Sequence, residues 1–438
     1  MRIDRLEIEN FKKFTKQTIN LAPHFTLLIG DNGAGKTAIL DALAVALGLW
    51  HKAAPGNGWR NIWPHEVRLE RVTAGDRPIY EPQLPTKITA HGPIDPDSPN
   101  PLTWTRMIRE GQKRTTNAEA KAAEAAISGY LKAALAQQAA LPVLAYYGAG
   151  RAWLPSNQPI SIPSSTRMPQ RLDAYRKCLD TRIRDVEIHQ WFLLEYAAFS
   201  ELPGGRPGFH AVKQAVLNCI PGADGFGFDS SLQQIVLSID GFEQPFYNLS
   251  AGQRMMVSMV ADIAIKAVKL NSYLLGPNQP GANDPKQVLS QSPGVILIDE
   301  LDVHLHPKWQ RRVASDLKRT FKNMQFVCTS HSPQVIGEVL KEEVRLLEPD
   351  GIRVPSVAFG ADSNWILDHV MDDASSQNPK AKLLQNEAED AMAEGDIEKA
   401  RKKLNELRTL QENGNTGELA RLEGSLDALE LLARPQKN

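Results

Sequence analysis

The segment that most constrains the fold lies near the N-terminus and reads Gly30-Asp31-Asn32-Gly33-Ala34-Gly35-Lys36-Thr37. It fits the phosphate-binding pattern G-x-x-x-x-G-K-[ST]. The apolar run Phe25 to Ile29 before it predicts a strand, and residues 37–49 after it predict a helix. Glycines let the backbone wrap around a phosphate, while N–H groups of the loop and the helix N-terminus point at the anion. We therefore expect a nucleotide site, in which Lys36 neutralises the β- and γ-phosphates and Thr37 ligates Mg²⁺.

A second element places two carboxylates after an apolar run, Val295-Ile296-Leu297-Ile298-Asp299-Glu300. It predicts a buried parallel strand that delivers Asp299 to Mg²⁺ and Glu300 to the attacking water. The alternative is an ordinary core strand with an acidic end. Another apolar strand, residues 325–328, precedes Thr329-Ser330-His331-Ser332-Pro333.

A third element, Leu249-Ser250-Ala251-Gly252-Gln253, opens an apolar helix predicted over Met255 to Val268. On its own this is a weak signal, because a serine at that position is also a common helix cap. Its place between the phosphate loop and Asp299 gives it weight.

The order of these elements resembles that of the ABC-type ATPases: a phosphate loop, an LSGGQ-like signature, a strand ending in Asp-Glu and a switch histidine. Ala251 departs from the glycine of that pattern. The resemblance implies two subunits that sandwich two ATP molecules head to tail. Ser250, Ala251, Gly252 and Gln253 of one subunit would face the phosphate loop of the other, with Asp302 at the dimer seam. His331 would sense the γ-phosphate, although an ordinary core or loop histidine is the alternative.

The same resemblance assigns the site residues. Catalysis is assigned to Glu300, His331 and Lys36, and Mg²⁺ binding to Thr37 and Asp299. Nucleotide binding is assigned to Gly30, Asp31, Asn32, Gly33, Ala34, Gly35, Lys36, Thr37, Ala38, Lys12 and Arg151.

Two of these assignments depend on narrower comparisons. Residues 1–14 resemble the opening strand of the RecF, SMC and Rad50 group, in which a basic residue after an Asn-Phe pair reaches the nucleotide; Lys12 fills that place. In that family a glutamine at a strand end couples ATP to the inserted region. Here the strand Pro142 to Tyr146 is followed by Tyr147-Gly148-Ala149-Gly150-Arg151 instead of a glutamine. Arg151 is therefore our candidate for the residue that senses the nucleotide, and Gln83 is another.

The chain resembles most specifically the ATPase subunits of Septu-type anti-phage systems and their retron-associated relatives, through residues 37–48, 141–151, 299–307 and 360–367. This implies an ATPase that assembles with a separate HNH-type nuclease, the second Septu subunit, and regulates it. We find no TOPRIM or His-Asn-His pattern and no zinc-binding cysteines, so we do not expect this chain to cut DNA itself. The alternatives are a RecF-like DNA-repair clamp and a plain ATP-dependent scaffold.

Composition limits the remaining classes. Cys178, Cys219 and Cys328 are widely separated, which argues against a disulfide framework and fits a reducing cytoplasm. No apolar run of about 18 residues predicts a membrane span. A net charge of −1 is not that of a protein coated in basic residues for nucleic acid. Two local basic groups fit either a solvated helix face or DNA backbone contact. They are Arg167, Arg171, Arg176, Lys177, Arg182 and Arg184, and Lys308, Arg311, Arg312, Lys318, Arg319 and Lys322.

Together the patterns predict an α/β fold with an ABC-type ATPase head over residues 1–370. The head has a mixed sheet around the phosphate loop, with inserted strands and a helical lobe or short arm at about residues 52–235. No heptad pattern persists long enough for a coiled-coil arm. Residues 371–438 predict a helical bundle, because leucines and alanines recur at helical spacing after Asp396, a cap residue. This bundle either packs on itself or docks another subunit in a higher homo-oligomer, or a partner.

Overall fold

A computed structural model describes residues 1–50, 60–74, 77–95, 100–137, 139–150, 171–183, 185–198, 206–275, 284–371, 379–410 and 417–433. These residues form two compact units, 1–363 and 364–438. The strands are β1 (Arg5–Phe11), β2 (Phe14–Asn20), β3 (Phe25–Gly30), β4 (Leu69–Ala74), β5 (Arg77–Pro82), β6 (Thr86–Gly92), β7 (Leu102–Ile108), β8 (Val143–Tyr147), β9 (Ala223–Asp229), β10 (Gln234–Ile239), β11 (Phe242–Pro245), β12 (Gly294–Ile298), β13 (Met324–Thr329), β14 (Val344–Glu348) and β15 (Gly351–Arg353). The helices are α1 (Lys36–Leu47), α2 (Lys121–Gln137), α3 (Asp185–Ala197), α4 (Pro207–Cys219), α5 (Ala251–Leu270), α6 (Lys286–Gln291), α7 (Pro307–Thr320), α8 (Pro333–Ile336), α9 (Ser363–His369), α10 (Pro379–Ala393), α11 (Ile397–Leu410) and α12 (Gly417–Ala433).

The centre of the first unit is a six-stranded sheet with the order β15-β14-β3-β13-β12-β8. All neighbouring strands are parallel except β15, which is antiparallel to β14. Every residue of β3, β8, β12 and β13 is buried, as expected for parallel strands covered on both faces. The predicted strands at the phosphate loop, before Asp299 and before Thr329 are present, and the predicted α/β class is confirmed.

A second, antiparallel sheet has the order β2-β1-β6-β7. Helix α1 contacts strands of both sheets and is buried along nearly its whole length. Strands β6 and β7 lie in the region predicted as an insertion, yet β6 pairs directly with β1, with Leu6 opposite Ala90. The reason is the alternating burial of β6, which gives it an apolar face that continues the face of β1. These two strands therefore extend the N-terminal sheet.

Strand β7 also fixes the C-terminal end of α1 through a buried arginine. Arg106 is 1% exposed. Its guanidinium donates to the carbonyls of Val45 (2.5 Å) and Arg60 (2.6 Å) and to the side-chain oxygen of Asn61 (2.6 Å). Burial lowers the pKa of Arg106 to about 10, so the group stays charged at neutral pH. Arg106 thereby satisfies a carbonyl in the last turn of α1.

The second unit is a helical bundle with its own core. Helices α10, α11 and α12 bury Ala381, Leu384, Ala388, Ala391, Ala400, Leu404, Leu407, Leu419, Leu422 and Leu426. Asp396 caps α11, since its carboxylate accepts from the Lys399 N–H at 3.0 Å. Leu429, which continues the apolar stripe of α12, is 37% exposed. None of the described helices is long and apolar enough to cross a bilayer.

Candidate nucleotide site

The loop between β3 and α1 has the backbone that its glycines predict. Gly30, Gly33 and Gly35 have φ values of 138°, 79° and 105°. A Cβ on Gly35 would lie 2.5 Å from the ring of Phe14, so only glycine fits there. Asn32, Gly33, Gly35 and the first residues of α1 line a cavity of about 280 Å³.

Lys36 is folded back over the loop. Its ammonium donates to the carbonyls of Gly30 (2.7 Å) and Asp31 (2.9 Å), and the residue is 8% exposed. Burial lowers the pKa of Lys36, and the carboxylates of Asp299 and Asp31 oppose that shift. The loop therefore holds the ammonium at its centre, within reach of an anion in the cavity.

Thr37 and Asp299 meet although 262 residues separate them in the sequence. The Thr37 hydroxyl donates to the Asp299 carboxylate, at 3.0 Å to Oδ2 and 3.3 Å to Oδ1. A hydroxyl and a carboxylate are oxygen ligands of the kind that Mg²⁺ takes together with substrate phosphates. In the described part of the chain no group of three or more His, Cys, Asp or Glu side chains is arranged to hold a metal. The pair of Thr37 and Asp299 fits a Mg²⁺ whose remaining ligands would be phosphate oxygens and water.

Thr329 contacts the carboxylate of Asp299 and the backbone of Glu300, a role that we did not predict from the sequence. Its hydroxyl donates to Asp299 Oδ1 at 2.7 Å and accepts from the Glu300 N–H at 2.7 Å. Glu300 has φ = 50°, which is uncommon for a residue with a side chain. The sequence contained a signal for this role of Thr329, because Thr329 is the polar residue at the end of an apolar strand, which the structure places beside β12.

His331 and Asp302 follow these elements. His331 lines the cavity and is partly buried. Its pKa is lowered first by burial and then by the charge of Lys36, so the imidazole is neutral at pH 7. Asp302 accepts from the Ser330 hydroxyl at 2.6 Å and is not among the residues that line the cavity.

Lys12 lines the cavity, but carboxylates already hold its ammonium. It pairs with Asp41 and lies 3.7 Å from Glu66. Arg60 binds Glu66 with both guanidinium nitrogens, at 2.6 and 2.9 Å, and lies 3.3 Å from Asp41. Lys12 is thus one of two cations that share a pair of buried carboxylates.

Lys13, which we did not predict, also lines the cavity and donates to the Gly33 carbonyl at 2.7 Å. Its position directly after Lys12 was the available signal. Gln83 follows β5 and is not among the cavity-lining residues. Arg151 lies outside the described residues.

The signature residues are not among those that line this cavity. Ser250 caps α5: its hydroxyl accepts from the Gln253 N–H (3.2 Å), and the Gln253 side chain accepts from the Ser250 N–H (2.9 Å). Ser250 and Ala251 are exposed, whereas Gly252 is buried. A Cβ on Gly252 would lie 2.2 Å from the His304 carbonyl oxygen. The start of α5 therefore lies directly against the loop that follows Glu300.

Several side chains of the two basic groups identified in the sequence form contacts within the protein. Arg171 donates to the carbonyls of Ala134, Ala139 and Leu270. On α7, Lys318 pairs with Glu343, and both Arg312 and Arg319 pair with Asp316. Arg167 and Arg184 lie outside the described residues.

Two family models match the chain. An AAA domain model matches residues 5–195, and the AAA domain model associated with AbiEii and Type IV TA systems matches residues 240–337. Together they span the phosphate loop, the signature, Asp299-Glu300 and His331.

Two named relatives and one solved structure are similar. The Retron Ec83 probable ATPase of Escherichia coli is 26% identical over 88% of this chain and 79% of its own length. The Septu protein PtuA of Bacillus thuringiensis is 27% identical over 32% of this chain, which spans only 34% of that protein. An SMC head bound to the C-winged helix domain of ScpA gives a TM-score of 0.49 at 16% identity, covering 82% of this chain and 98% of that one. The chain is therefore similar to a retron probable ATPase over most of its length and to a Septu PtuA protein over about a third, and two AAA domain models match the parts that hold the phosphate loop, the signature and Asp299-Glu300.

Proposed function

We propose that this chain binds ATP with Mg²⁺ and hydrolyses it, as the ATPase subunit of an anti-phage defence complex. The observation that carries the proposal is the meeting of Thr37 with Asp299 beside Glu300, at the mouth of the phosphate loop. A loop that only binds an anion has no need of a carboxylate pair at the end of another strand of the same sheet. This arrangement supplies a phosphate cradle, a metal ligand pair and a base in one cavity.

Each side chain has a distinct task. Lys36, now bonded to loop carbonyls, exchanges those acceptors for phosphate oxygens and neutralises their charge. Glu300 accepts a proton from the water that attacks the γ-phosphate. The neutral imidazole of His331 offers a hydrogen bond in the same cavity. Thr37 and Asp299 would hold a Mg²⁺, which when bound would supply positive charge beside the phosphates.

A second copy of the chain completes the site in this proposal. Ser250 is exposed and does not line the nucleotide cavity of its own subunit. This supports a second subunit in the opposite orientation, whose nucleotide Ser250 would contact. Asp302, fixed by Ser330, would lie at that seam. The C-terminal bundle would extend the dimer to a higher oligomer.

The proposed partner is a separate HNH-type nuclease that nucleotide occupancy restrains or releases. The similarity to a Septu PtuA protein and to a retron ATPase supports this choice. The contacts of Lys318, Arg312 and Arg319 with carboxylates favour it over the RecF-like clamp, since those cations are not all available to DNA phosphates.

The test is a pull-down of tagged Glu300→Gln protein from its native host, with mass spectrometry of the bound proteins. Lys36→Ala, which removes the phosphate-binding ammonium, is the matched control. We expect an HNH-type nuclease in near-stoichiometric amount with Glu300→Gln. Recombination or single-strand-binding proteins instead would support a repair clamp, and recovery of this chain alone would support a homo-oligomeric scaffold.

A further inference from the structure

Strand β8 ends in two adjacent tyrosines, Tyr146 and Tyr147, which are 2% and 3% exposed. Successive side chains of a strand point to opposite faces of the sheet. The end of β8 therefore reaches both helical layers that cover the central sheet. Both tyrosines carry a hydroxyl that can bond to those layers.

Each tyrosine hydroxyl contacts a helix: one helix begins at the phosphate loop, and the other begins at the signature. Tyr146 donates to Asp41 Oδ1 at 3.3 Å, on α1, the helix that begins at Lys36. Tyr147 donates to Asp262 Oδ2 at 2.7 Å, on α5, the helix that Ser250 caps. At 1.5 Å per residue, Asp262 lies about 18 Å along α5 from Ser250.

The backbone of Tyr147 contacts the strand that carries the metal-binding carboxylate. The Asp299 N–H donates to the Tyr147 carbonyl at 2.7 Å. A single residue thus bonds to the end of β12 through its main chain and to α5 through its side chain. The acceptor on α5 is a carboxylate that also pairs with Lys266, so it forms the stronger, charge-assisted type of hydrogen bond.

We infer that Tyr147 is a positioning residue that couples the Asp299 end of the site to the signature-bearing helix of the same subunit. A displacement of the β12 end on nucleotide binding moves the Tyr147 backbone, and its hydroxyl carries α5 along. Because α5 is one uninterrupted helix over Ala251–Leu270, the movement reaches Ser250 and Gly252. This inference rests on the proposed function, since the signature acts there on the nucleotide of a second subunit.

The experiment uses Tyr147→Phe, which removes the hydroxyl and keeps the ring, in the full-length Glu300→Gln chain. Nucleotide affinity is measured with a fluorescent ATP analogue, and ATP-dependent dimerisation by analytical ultracentrifugation. We expect unchanged nucleotide affinity, because Tyr147 does not line the cavity. We expect the Kd of the ATP-bound dimer to rise about tenfold or more, the scale of a lost hydrogen bond to a charged group. With Glu300 intact, kcat should fall while KM stays unchanged.

Tyr175→Phe is the matched control. It removes an equally buried hydroxyl, which donates to the Pro142 carbonyl at 2.8 Å near the start of the same strand. We expect it to leave dimerisation and kcat unchanged. Equal dimerisation by the Tyr147→Phe and Tyr175→Phe proteins would overturn the inference.

A second variant keeps the inference testable if Tyr147→Phe lowers stability. Asp262→Ala removes the acceptor, and it should weaken dimerisation without weakening nucleotide binding. The Tyr147→Phe, Asp262→Ala double variant should weaken dimerisation no more than the more damaging single variant, because both substitutions remove the same hydrogen bond. Additive losses of dimerisation free energy would contradict the coupling. If the Glu300→Gln chain itself fails to dimerise with ATP, the proposed sandwich is wrong, which is a separate result from a failure of Tyr147→Phe alone.

Discussion

The close approach of Gly252 to the His304 carbonyl gives a sharp prediction. The substitution is Gly252→Ala, which adds one methyl group inside α5. Its Cβ would lie 2.2 Å from the His304 oxygen, more than 1 Å short of the 3.4 Å at which ordinary van der Waals contact begins. The other atoms near this position, the His304 carbonyl carbon and the Leu305 Cα, are also backbone, so the start of α5 and the loop after Glu300 must move apart.

Stability and activity should respond by very different amounts. Alanine gains about 1 kcal/mol over glycine in a helix, whereas overpacking a buried contact costs about 1–3 kcal/mol. The net loss of unfolding free energy is therefore roughly 0–2 kcal/mol. A displacement of about 1 Å at a catalytic site can cost about 10²-fold in rate. We expect turnover to fall by about that factor while the protein remains folded.

The assay measures the thermal midpoint of unfolding and the rate of steady-state phosphate release for each variant and for the wild type. Gly129→Ala is the control, since Gly129 is exposed in α2 and a Cβ there would meet nothing within 4 Å. It should raise stability by about 0.5–1 kcal/mol and leave turnover unchanged. If Gly252→Ala also raises the thermal midpoint and keeps full turnover, the approach of the two backbones does not constrain this site.

Three other substitutions test separate parts of the first unit. Glu300→Gln should keep nucleotide binding but release phosphate at least about 10²-fold more slowly, and unchanged release would remove its role as base. Relative to His331→Asn, the nucleotide-free wild type should lose thermal stability as pH falls below the ordinary histidine pKa of 6.5. The reason is that the unfolded chain takes up the proton at a higher pH than the folded one; a pH-independent difference between the two melting curves would contradict this. Arg60→Met should lower the unfolding free energy in urea by about 3–5 kcal/mol, because it removes two charged hydrogen bonds from the buried Glu66 carboxylate and leaves it with Lys12 at 3.7 Å; adding Glu66→Met should restore part of the loss.

The elements around the phosphate loop were predictable because their local pattern determines them. Strands β3, β12 and β13 are buried on both faces and so appear as continuous apolar runs. The acidic and polar residues that follow them, Asp299 and His331, lie at the carboxyl ends of parallel strands and hence at one edge of the sheet. The apolar runs were sufficient to predict these strands, whereas the role of His331 follows from the resemblance to the ABC-type ATPases and stays a prediction.

Pairings between distant segments were not predictable in this way. The alternation of β6 shows that one face is buried, but it does not specify β1 as its neighbour. Arg106 looks like a surface cation in the sequence, and only the fold surrounds it with carbonyl oxygens. The pairing of Lys12 with Asp41 likewise depends on the approach of β1 to α1.

The order of strands in the central sheet also has a consequence for synthesis on the ribosome. Strand β13 lies between β3, which leads into the phosphate loop, and β12, which ends at Asp299. The nascent chain therefore cannot bring Thr37 to its carboxylate partner until residues 324–329 have emerged and paired. A chain that ends before residue 324 therefore lacks the strand that joins the phosphate-loop strand to the strand ending at Asp299.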